Sequence, residues 1–213
     1  MNINILRRFI IICAVSTFVM FTFWAVYKSF VNRPPGDYET EVCDNRLKDK
    51  MWDKAIKAAN EALIKNPEHR GAMMCEAIAN INKKEYDLAS KQLSNLIIFL
   101  NKTLVDDDLT GRGTLAAAYA NRGIIKDRKG DYEGALKDYI KSLETDSEAV
   151  EGPGLGEKIL YMINKPSSIR KRAQYIYEQL KLPEEERVLS VPDRDKEQIC
   201  LLYTSPSPRD GRI

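Results

Sequence analysis

Hydrophobic and polar residues follow two different patterns along the chain. From Phe9 to Tyr27 the sequence "FIIICAVSTFVMFTFWAVY" runs for 19 residues without a charge. Beyond residue 37, apolar and charged residues instead recur at helical spacing. The first pattern predicts a helix of about 28 Å, close to the roughly 30 Å hydrocarbon core of a bilayer. The second predicts a series of amphipathic helices.

We interpret the apolar run as a transmembrane anchor over residues 9–31, after a short N-terminal tail of residues 1–8. Trp24 and Tyr27 lie near its far end, where amphipathic aromatic rings favour the membrane interface. A cleaved signal peptide is the alternative. The apolar stretch, however, exceeds the usual length of about 7–15 residues, and no small-x-small cleavage site follows it. We therefore expect an uncleaved anchor in the lipid bilayer.

Charges on either side of the anchor bear on its orientation. Arg7 and Arg8 directly precede the apolar run, and Lys28 and Arg33 follow it. The short basic tail favours a cytoplasmic N-terminus and a body outside the membrane, in a periplasmic or other extracytoplasmic space. Residues 32–36, within "NRPPGDY", predict a stiff, turn-prone linker between anchor and body.

Three segments of the body share one pattern: "MWDKAIKAANEALIKNP", "EYDLASKQLSNLI" and "DYEGALKDYIKSLETD", beginning at residues 51, 85 and 131. In each, an aromatic residue is followed three positions later by alanine, and a small residue stands nine positions upstream. The aromatic residues are Trp52, Tyr86 and Tyr132, the alanines are Ala55, Ala89 and Ala135, and the small residues are Cys43, Ala77 and Gly123. The first offset is 34 residues and the second is 46, or 34 with an insertion of 12. Such a period indicates stacked copies of one unit.

This pattern resembles the tetratricopeptide repeat (TPR), a helix–turn–helix unit of about 34 residues. The best match is the third copy, "YANRGIIKDRKGDYEGALKDYIKSLETD". The resemblance implies an all-α fold in which antiparallel helix pairs stack into a right-handed superhelix, an α-solenoid. It implies a TPR domain over residues 37–199, with copies at about 37–70, 70–103 and 116–149.

A fourth, degenerate copy follows at 154–187. It places Ala173, Tyr177 and Leu180 in the second-helix pattern, but Arg170 stands where the aromatic residue belongs. A capping segment comes after it, and "LPEEERVL" in this region looks like a helix start because Pro183 suits a first turn. Terminal repeats are usually atypical because they cap the stack, so we expect degeneracy here.

In TPR proteins, the first helices of successive pairs line a concave groove that holds a peptide or a partner helix. Carried onto this chain, the resemblance implies a partner-binding groove lined by seven residues, the predicted groove residues: Met74, Ile78, Asn82, Ala120, Ile124, Asp127 and Arg128. Met74, Ile78 and Ile124 would favour an apolar ligand segment. The lysine and arginine set with which some family members clamp a carboxylate is missing. The alternative is that these residues only pack between repeats.

Composition argues against several other functions. The formal net charge is +2; two positive charges belong to Arg7 and Arg8, so the body is near neutral and suggests no nucleic-acid partner. The chain has one histidine, His69, which weakens any catalytic or metal-binding interpretation. "GPGLGEK" lacks the GK[ST] of a phosphate loop. We predict no catalytic residues, metal or cofactor.

Cys43 and Cys75 are the two cysteines of the body. Cys43 occupies a small-residue position and is expected to be a small buried hydrophobe. A Cys43–Cys75 disulfide stays open if the body is exported to an oxidising compartment. Against it, neighbouring helices typically lie about 8–10 Å apart, which strains the Cα spacing of a disulfide.

The last segment, "CLLYTSPSPRDGRI", does not continue the repeat pattern. Its first eleven residues, 200–210, match the translation of a transposon-type sequencing adapter. We therefore interpret residues 200–213 as an adapter artefact and exclude them from fold reasoning. The competing interpretation is a natural disordered tail.

Together these features predict a membrane-anchored TPR scaffold. It would bind a protein or peptide segment in its concave groove and act as an adaptor or assembly factor of a bacterial cell-envelope complex. The alternative is the non-catalytic anchor of a longer enzyme whose catalytic domain lies beyond residue 199. An oligomeric structural subunit is a third class.

Overall fold

The structure, a computed structural model, describes residues 3–31 (with side chains to residue 27), 33–147, 150 and 169–190. Within these ranges the chain forms helices and no strand, so the predicted all-α class is confirmed there. The helices are α1 (Ile3–Val31), α2 (Asp37–Lys48), α3 (Trp52–Lys65), α4 (Arg70–Asn82), α5 (Tyr86–Thr103), α6 (Leu109–Arg128), α7 (Tyr132–Thr145) and α8 (Ile169–Leu180). The predicted first helix of the fourth copy, the end of the capping segment and the adapter-like tail lie outside the described residues.

Helix α1 stands apart in its composition and exposure. It is long and apolar enough to cross a membrane, and none of its apolar stretch is buried within the protein. Phe9, Phe18 and Phe23 are each more than half exposed. Such a surface is costly in water and favourable in hydrocarbon, so α1 is consistent with a single-pass anchor or a signal anchor.

Helices α2 to α7 run alternately up and down. Each packs against the next, and α2 also contacts α4, as α4 contacts α6. Helices α3, α5 and α7 begin at Trp52, Tyr86 and Tyr132, the aromatic residues of the repeat pattern. Three residues further on, Ala55, Ala89 and Ala135 are completely buried. Alanine at these positions lets the paired helices approach closely.

The small residues nine positions upstream are buried as well, and Gly123 shows why. A Cβ atom at Gly123 would lie 2.7 Å from Cδ1 of Tyr139, which is itself fully buried. That distance is well inside van der Waals contact, so a larger side chain would displace the tyrosine ring. The pairing of Gly123 with Tyr139 therefore brings α6 and α7 together.

The turns after α2, α4 and α6 have the same backbone geometry. Lys50, Lys84 and Gly130 have positive φ angles of 57°, 66° and 82°. At each turn the next residue donates its N–H five residues back, as Met51 does to Arg46 O at 2.9 Å. These are Schellman motifs, in which a left-handed residue satisfies the last carbonyls of a helix. They recur at the 34- and 46-residue offsets of the repeat.

The 12-residue insertion lengthens two helices instead of forming a loop. Helix α5 has 18 residues where α3 has 14, and α6 has 20 where α4 has 13. The connection between them, residues 104–108, is one residue longer than the connection at residues 66–69. The Schellman turns and the helix ends beside them keep the offsets of the repeat. The extra residues therefore lie at the end of α5 and the start of α6, and both extend the same end of the stack.

We call this end of the stack the linker end, because the chain enters α2 there from residues 33–36. Here α2, α4 and α6 begin, and α3, α5 and α7 end. Three polar contacts connect these termini: a hydrogen bond between His69 and Asp37 at 2.8 Å, and ion pairs of Glu39 with Lys65 at 2.7 Å and of Arg70 with Asp108. The opposite end, with the three Schellman turns, is called the far end.

The core has two parts. The first lies among α2 to α6, and the second joins α6, α7 and α8 around Tyr139, Ile124 and Ile176. On α8 the buried side chains are Ile169, Arg172, Ala173 and Ile176. Tyr177, which the fourth copy places in the second-helix pattern, is 51% exposed. The "LPEEERVL" segment forms only a 3-10 turn, Glu184–Glu186.

Candidate functional site

The predicted groove residues fall into two groups. Asn82 and Arg128 are exposed at the ends of α4 and α6. The other five are at most 5% exposed: Met74, Ile78, Ala120, Ile124 and Asp127. In this structure those five offer a ligand almost no surface, and the partner-binding groove stays a prediction.

Helix α6 explains most of this burial, because other helices surround it. On one side, Asn121 Nδ2 lies 3.4 Å from Sδ of Met74 on α4. On the other, Ile124 packs in the same cluster as Ile176 of α8. Met74 and Ile124 thus pack between neighbouring helices.

Asp127 anchors α8. It accepts hydrogen bonds from Arg172 Nε at 2.7 Å and Arg172 Nη2 at 2.6 Å, and from the hydroxyl of Tyr139 at 3.1 Å. Both side chains of the ion pair are only 3% exposed. Arg172 Nη2 also donates to the carbonyl of Leu189 at 3.0 Å. Moving α8 away from α6 would leave both charges buried without a partner, which is costly. The pair therefore holds α8 on α6.

Asp44, at the middle of α2, is the most perturbed acid of the described residues. Its Oδ1 atom is buried and has no hydrogen-bond donor among the side chains and backbone that the structure describes. Burial raises the pKa of Asp44 to about 7, although nearby Lys48 acts in the opposite direction. Asp44 therefore changes its charge near neutral pH.

Cys43 and Cys75 form a disulfide that joins α2 to α4, with a Cα–Cα distance of 6.4 Å. The argument against this bridge was wrong because it equated the spacing of helix axes with the spacing of Cα atoms. Each Cα lies about 2.3 Å from its helix axis, so facing residues can be several ångströms closer than the axes. Sequence reasoning had the correct pair and misjudged its distance.

His69 has a structural role. Its Nδ1 accepts the N–H of Ala72 at 3.2 Å, which caps the start of α4, and its Nε2 lies 2.8 Å from Oδ1 of Asp37. The first contact requires an unprotonated Nδ1, so Nε2 donates to the carboxylate. Among the described residues, no cluster of histidine, cysteine and acidic side chains has the arrangement of a metal site.

A cleft of about 210 Å³ opens between α3, α4 and α5. Three apolar residues, Leu63, Pro67 and Met73, and three polar residues, Glu76, Gln92 and Asn95, line it. Buried Asn80 donates to Gln92 Oε1 at 2.9 Å, and Gln92 in turn bonds to Glu76. Burial raises the pKa of Glu76, and the hydrogen bond from Gln92 partly offsets this. The Asn80–Gln92–Glu76 chain thus orients two of the polar side chains that line the cleft.

The cleft was not among the sequence predictions, and only one signal pointed to it. Glu76 lies between Cys75 and Ala77 in the sequence, and Gln92 precedes Leu93; these three apolar neighbours are completely buried. A polar residue flanked by core residues indicates a hydrogen-bonded partner nearby. The position of Pro67 against the cleft depends on how α3 and α5 each pack on α4, which no local pattern shows.

Comparison with known proteins gives no match to any protein-family model. It likewise gives no match to a curated protein.

Proposed function

We propose that this chain is a membrane-tethered helical-repeat scaffold of the TPR type. Its body would lie outside the membrane and bind a segment of a partner protein. The observation that carries the proposal is the recurrence of one helix–turn–helix design. Small buried residues, helix starts at aromatic residues and Schellman turns all return at offsets of 34 and 46 residues. Repeated helix pairs of this kind serve as extended binding surfaces.

The export of the body is supported by the Cys43–Cys75 disulfide. Disulfides persist in oxidising compartments and are rare in the reducing cytosol. Both sulfur atoms belong to completely buried residues that follow the anchor in sequence. An exported body agrees with the orientation favoured by Arg7 and Arg8.

The cleft between α3, α4 and α5 is our proposed contact site. Its volume of about 210 Å³ is below the roughly 300–1,000 Å³ of small-molecule pockets, so it suits one anchoring side chain. The apolar lining residues would cover an aliphatic stem, and the Glu76 carboxylate would attract a cationic head group. We propose a lysine or arginine of the partner as the anchor, because these side chains combine both features.

Site-specific photo-crosslinking tests this function. A photoreactive amino acid is placed at Asn95 in the cleft, at Asn82 among the predicted groove residues, and at Lys57 as a control on the exposed face of α3. We expect the full chain in its native membrane to give one discrete crosslinked product from Asn95 only. Changing Leu63→Lys, which places a competing cation at the cleft, should abolish that product.

Other outcomes are equally informative. A product from Asn82 alone would move partner binding to the predicted groove and overturn the cleft as its site. Products of equal yield from all three positions would indicate random collision. A lack of product at both Asn95 and Asn82 would contradict the scaffold function itself.

A further inference from the structure

The three most exposed aliphatic side chains of the described residues outside α1 lie at the linker end of the stack. Ile64, at the end of α3, is 82% exposed; Val105, between α5 and α6, is 59% exposed; and Leu109, at the start of α6, is 62% exposed. Single exposed apolar residues are ordinary on protein surfaces. If their concentration at one end of the stack has a function, another surface must cover these side chains.

The chain places this end next to helix α1. Arg33 pairs with Glu41 of α2 at 2.9 Å, and the N–H of Asp37 donates to the carbonyl of Pro34 at 3.2 Å. The folded body therefore begins at Arg33, two residues after Val31 ends α1. Two residues span at most about 7 Å, so the body has little freedom to move away from the end of α1.

The 12-residue insertion extends the stack toward the same side. Four additional residues lengthen α5 by about 6 Å, and seven lengthen α6 by about 10 Å, at 1.5 Å per residue. Val105 and Leu109 both lie in this extension. The extension therefore carries two of the three exposed apolar side chains beyond the level at which α2 and α4 begin.

Charges around these residues do not favour attraction to anionic lipid. Lys102 is exposed, but so are Asp106 and Asp107. Arg70 is paired with Asp108, whose pKa is lowered by the hydrogen bond from that guanidinium. A contact at this end must therefore rest on its apolar side chains.

We propose that the linker end rests on the bilayer surface, with Ile64, Val105 and Leu109 inserted into the interfacial layer. The occupant of this apolar surface is lipid because the tether holds it beside the membrane and the insertion extends it in that direction. This inference rests on the proposed membrane anchoring through α1. It makes the body a membrane-seated domain with a fixed orientation, in which the far end points away from the bilayer.

Fluorescence quenching by lipid tests the contact. The full chain, carrying Cys13→Ser and Cys200→Ser so that no other free thiol remains beside the Cys43–Cys75 disulfide, is reconstituted into phosphatidylcholine vesicles after labelling with an environment-sensitive fluorophore at Val105→Cys or Leu109→Cys. The matched control is Leu88→Cys, which is 49% exposed near the far end. Interfacial side chains lie about 5–10 Å into the headgroup region, so nitroxide-labelled lipids should quench both linker-end probes at least about twofold more than the control.

Resistance to carbonate extraction, measured on the same vesicles, separates the two proposals. Protein that stays in the vesicles and shows strong quenching at Val105 and Leu109 supports both. Protein that stays in the vesicles with equal or no quenching at the three positions overturns the linker-end contact and leaves the anchor in place. Protein released by carbonate overturns the membrane anchor and the contact that depends on it.

Discussion

Asp44 and Asp127 lie on the inner sides of α2 and α6, but their surroundings are opposite. Asp127 accepts hydrogen bonds from Arg172 and from the hydroxyl of Tyr139. The Oδ1 atom of Asp44 is buried without such a donor. A buried carboxylate that lacks a partner favours its neutral form, because ionisation in a poorly solvated position costs free energy.

The stability of the protein should therefore depend on pH through Asp44. Its folded pKa of about 7 lies above the unfolded value of about 3.9, so the native state holds a proton that the unfolded state releases. The free energy of unfolding should fall as pH rises from about 4 to about 7, and then level off. Asp44→Asn should remove this slope and stabilise the protein by about 1–3 kcal/mol at pH 8.

Thermal unfolding of the full chain in detergent, followed by circular dichroism between pH 4 and 8, measures the effect. The exposed carboxylate of Asp107 provides the control, since Asp107→Asn should leave the pH dependence unchanged. Identical pH profiles for wild type and Asp44→Asn would contradict this account.

For single residues, sequence reasoning identified the buried positions of the repeat, but it did not identify the side chains that they contact in the fold. Ala55, Ala89 and Ala135 are buried as their spacing predicted. Ile124 and Asp127 were assigned to a ligand because the pattern does not show that α8 covers them. Arg172 and Asp127 are 45 residues apart, so a local period gives no information about their contact.

Helix ends account for much of the regularity in the stack. The left-handed residue of each Schellman turn is glycine in one case and lysine in two. A left-handed conformation costs a residue with a Cβ atom about 1–2 kcal/mol, part of which is offset because glycine loses more entropy on folding. The lysines at positions 50 and 84 are therefore not optimal for the turns they form.

Exchanging residues between equivalent turns tests this cost. Lys84→Gly should stabilise the protein by about 0.5–1 kcal/mol, and Gly130→Lys should destabilise it by a similar amount. A Cβ at Gly130 would meet no atom within 4 Å, so its effect would come from the backbone alone. Urea unfolding of both variants in detergent would measure the changes. Equal stability of the two variants would exclude a backbone origin.

The helix starts could be predicted and the insertion could not be placed. Trp52, Tyr86 and Tyr132 begin their helices as the repeat indicated. Helix α6, however, begins at Leu109, seven residues before the third copy was expected to start. The side chain of Asp108 accepts the N–H of Gly111 at 2.7 Å and so caps the longer helix.

On the scale of the whole molecule, the disulfide connects the first two helix pairs. It closes a loop with a sequence separation of 32 residues. A crosslink of this length restricts the unfolded chain and is worth about 2–4 kcal/mol. The neighbouring contacts of α2 with α3 and α4 thereby gain stability that the later pairs do not receive directly.

Replacing both cysteines should therefore destabilise the body. The double variant Cys43→Ala and Cys75→Ala is expected to lose about 2–4 kcal/mol of unfolding free energy. Treatment of the wild type with a reductant should give a similar loss, whereas Cys13→Ala should give none. Denaturation of the full chain in detergent provides the measurement, and equal stability of oxidised and reduced protein would refute the crosslink's contribution.

The position of this crosslink also sets an order of events during synthesis. If the body crosses the membrane starting from the residues that follow α1, both cysteines emerge before any residue of α5, α6 or α7. The oxidised unit of α2 to α4 can then close while the remainder of the chain is still being translocated. At that stage the side of α4 that later contacts α5 and α6 would still be uncovered. The later helices would assemble on it one after another. Retraction of the emerging chain toward the cytoplasm would then require this closed unit to unfold.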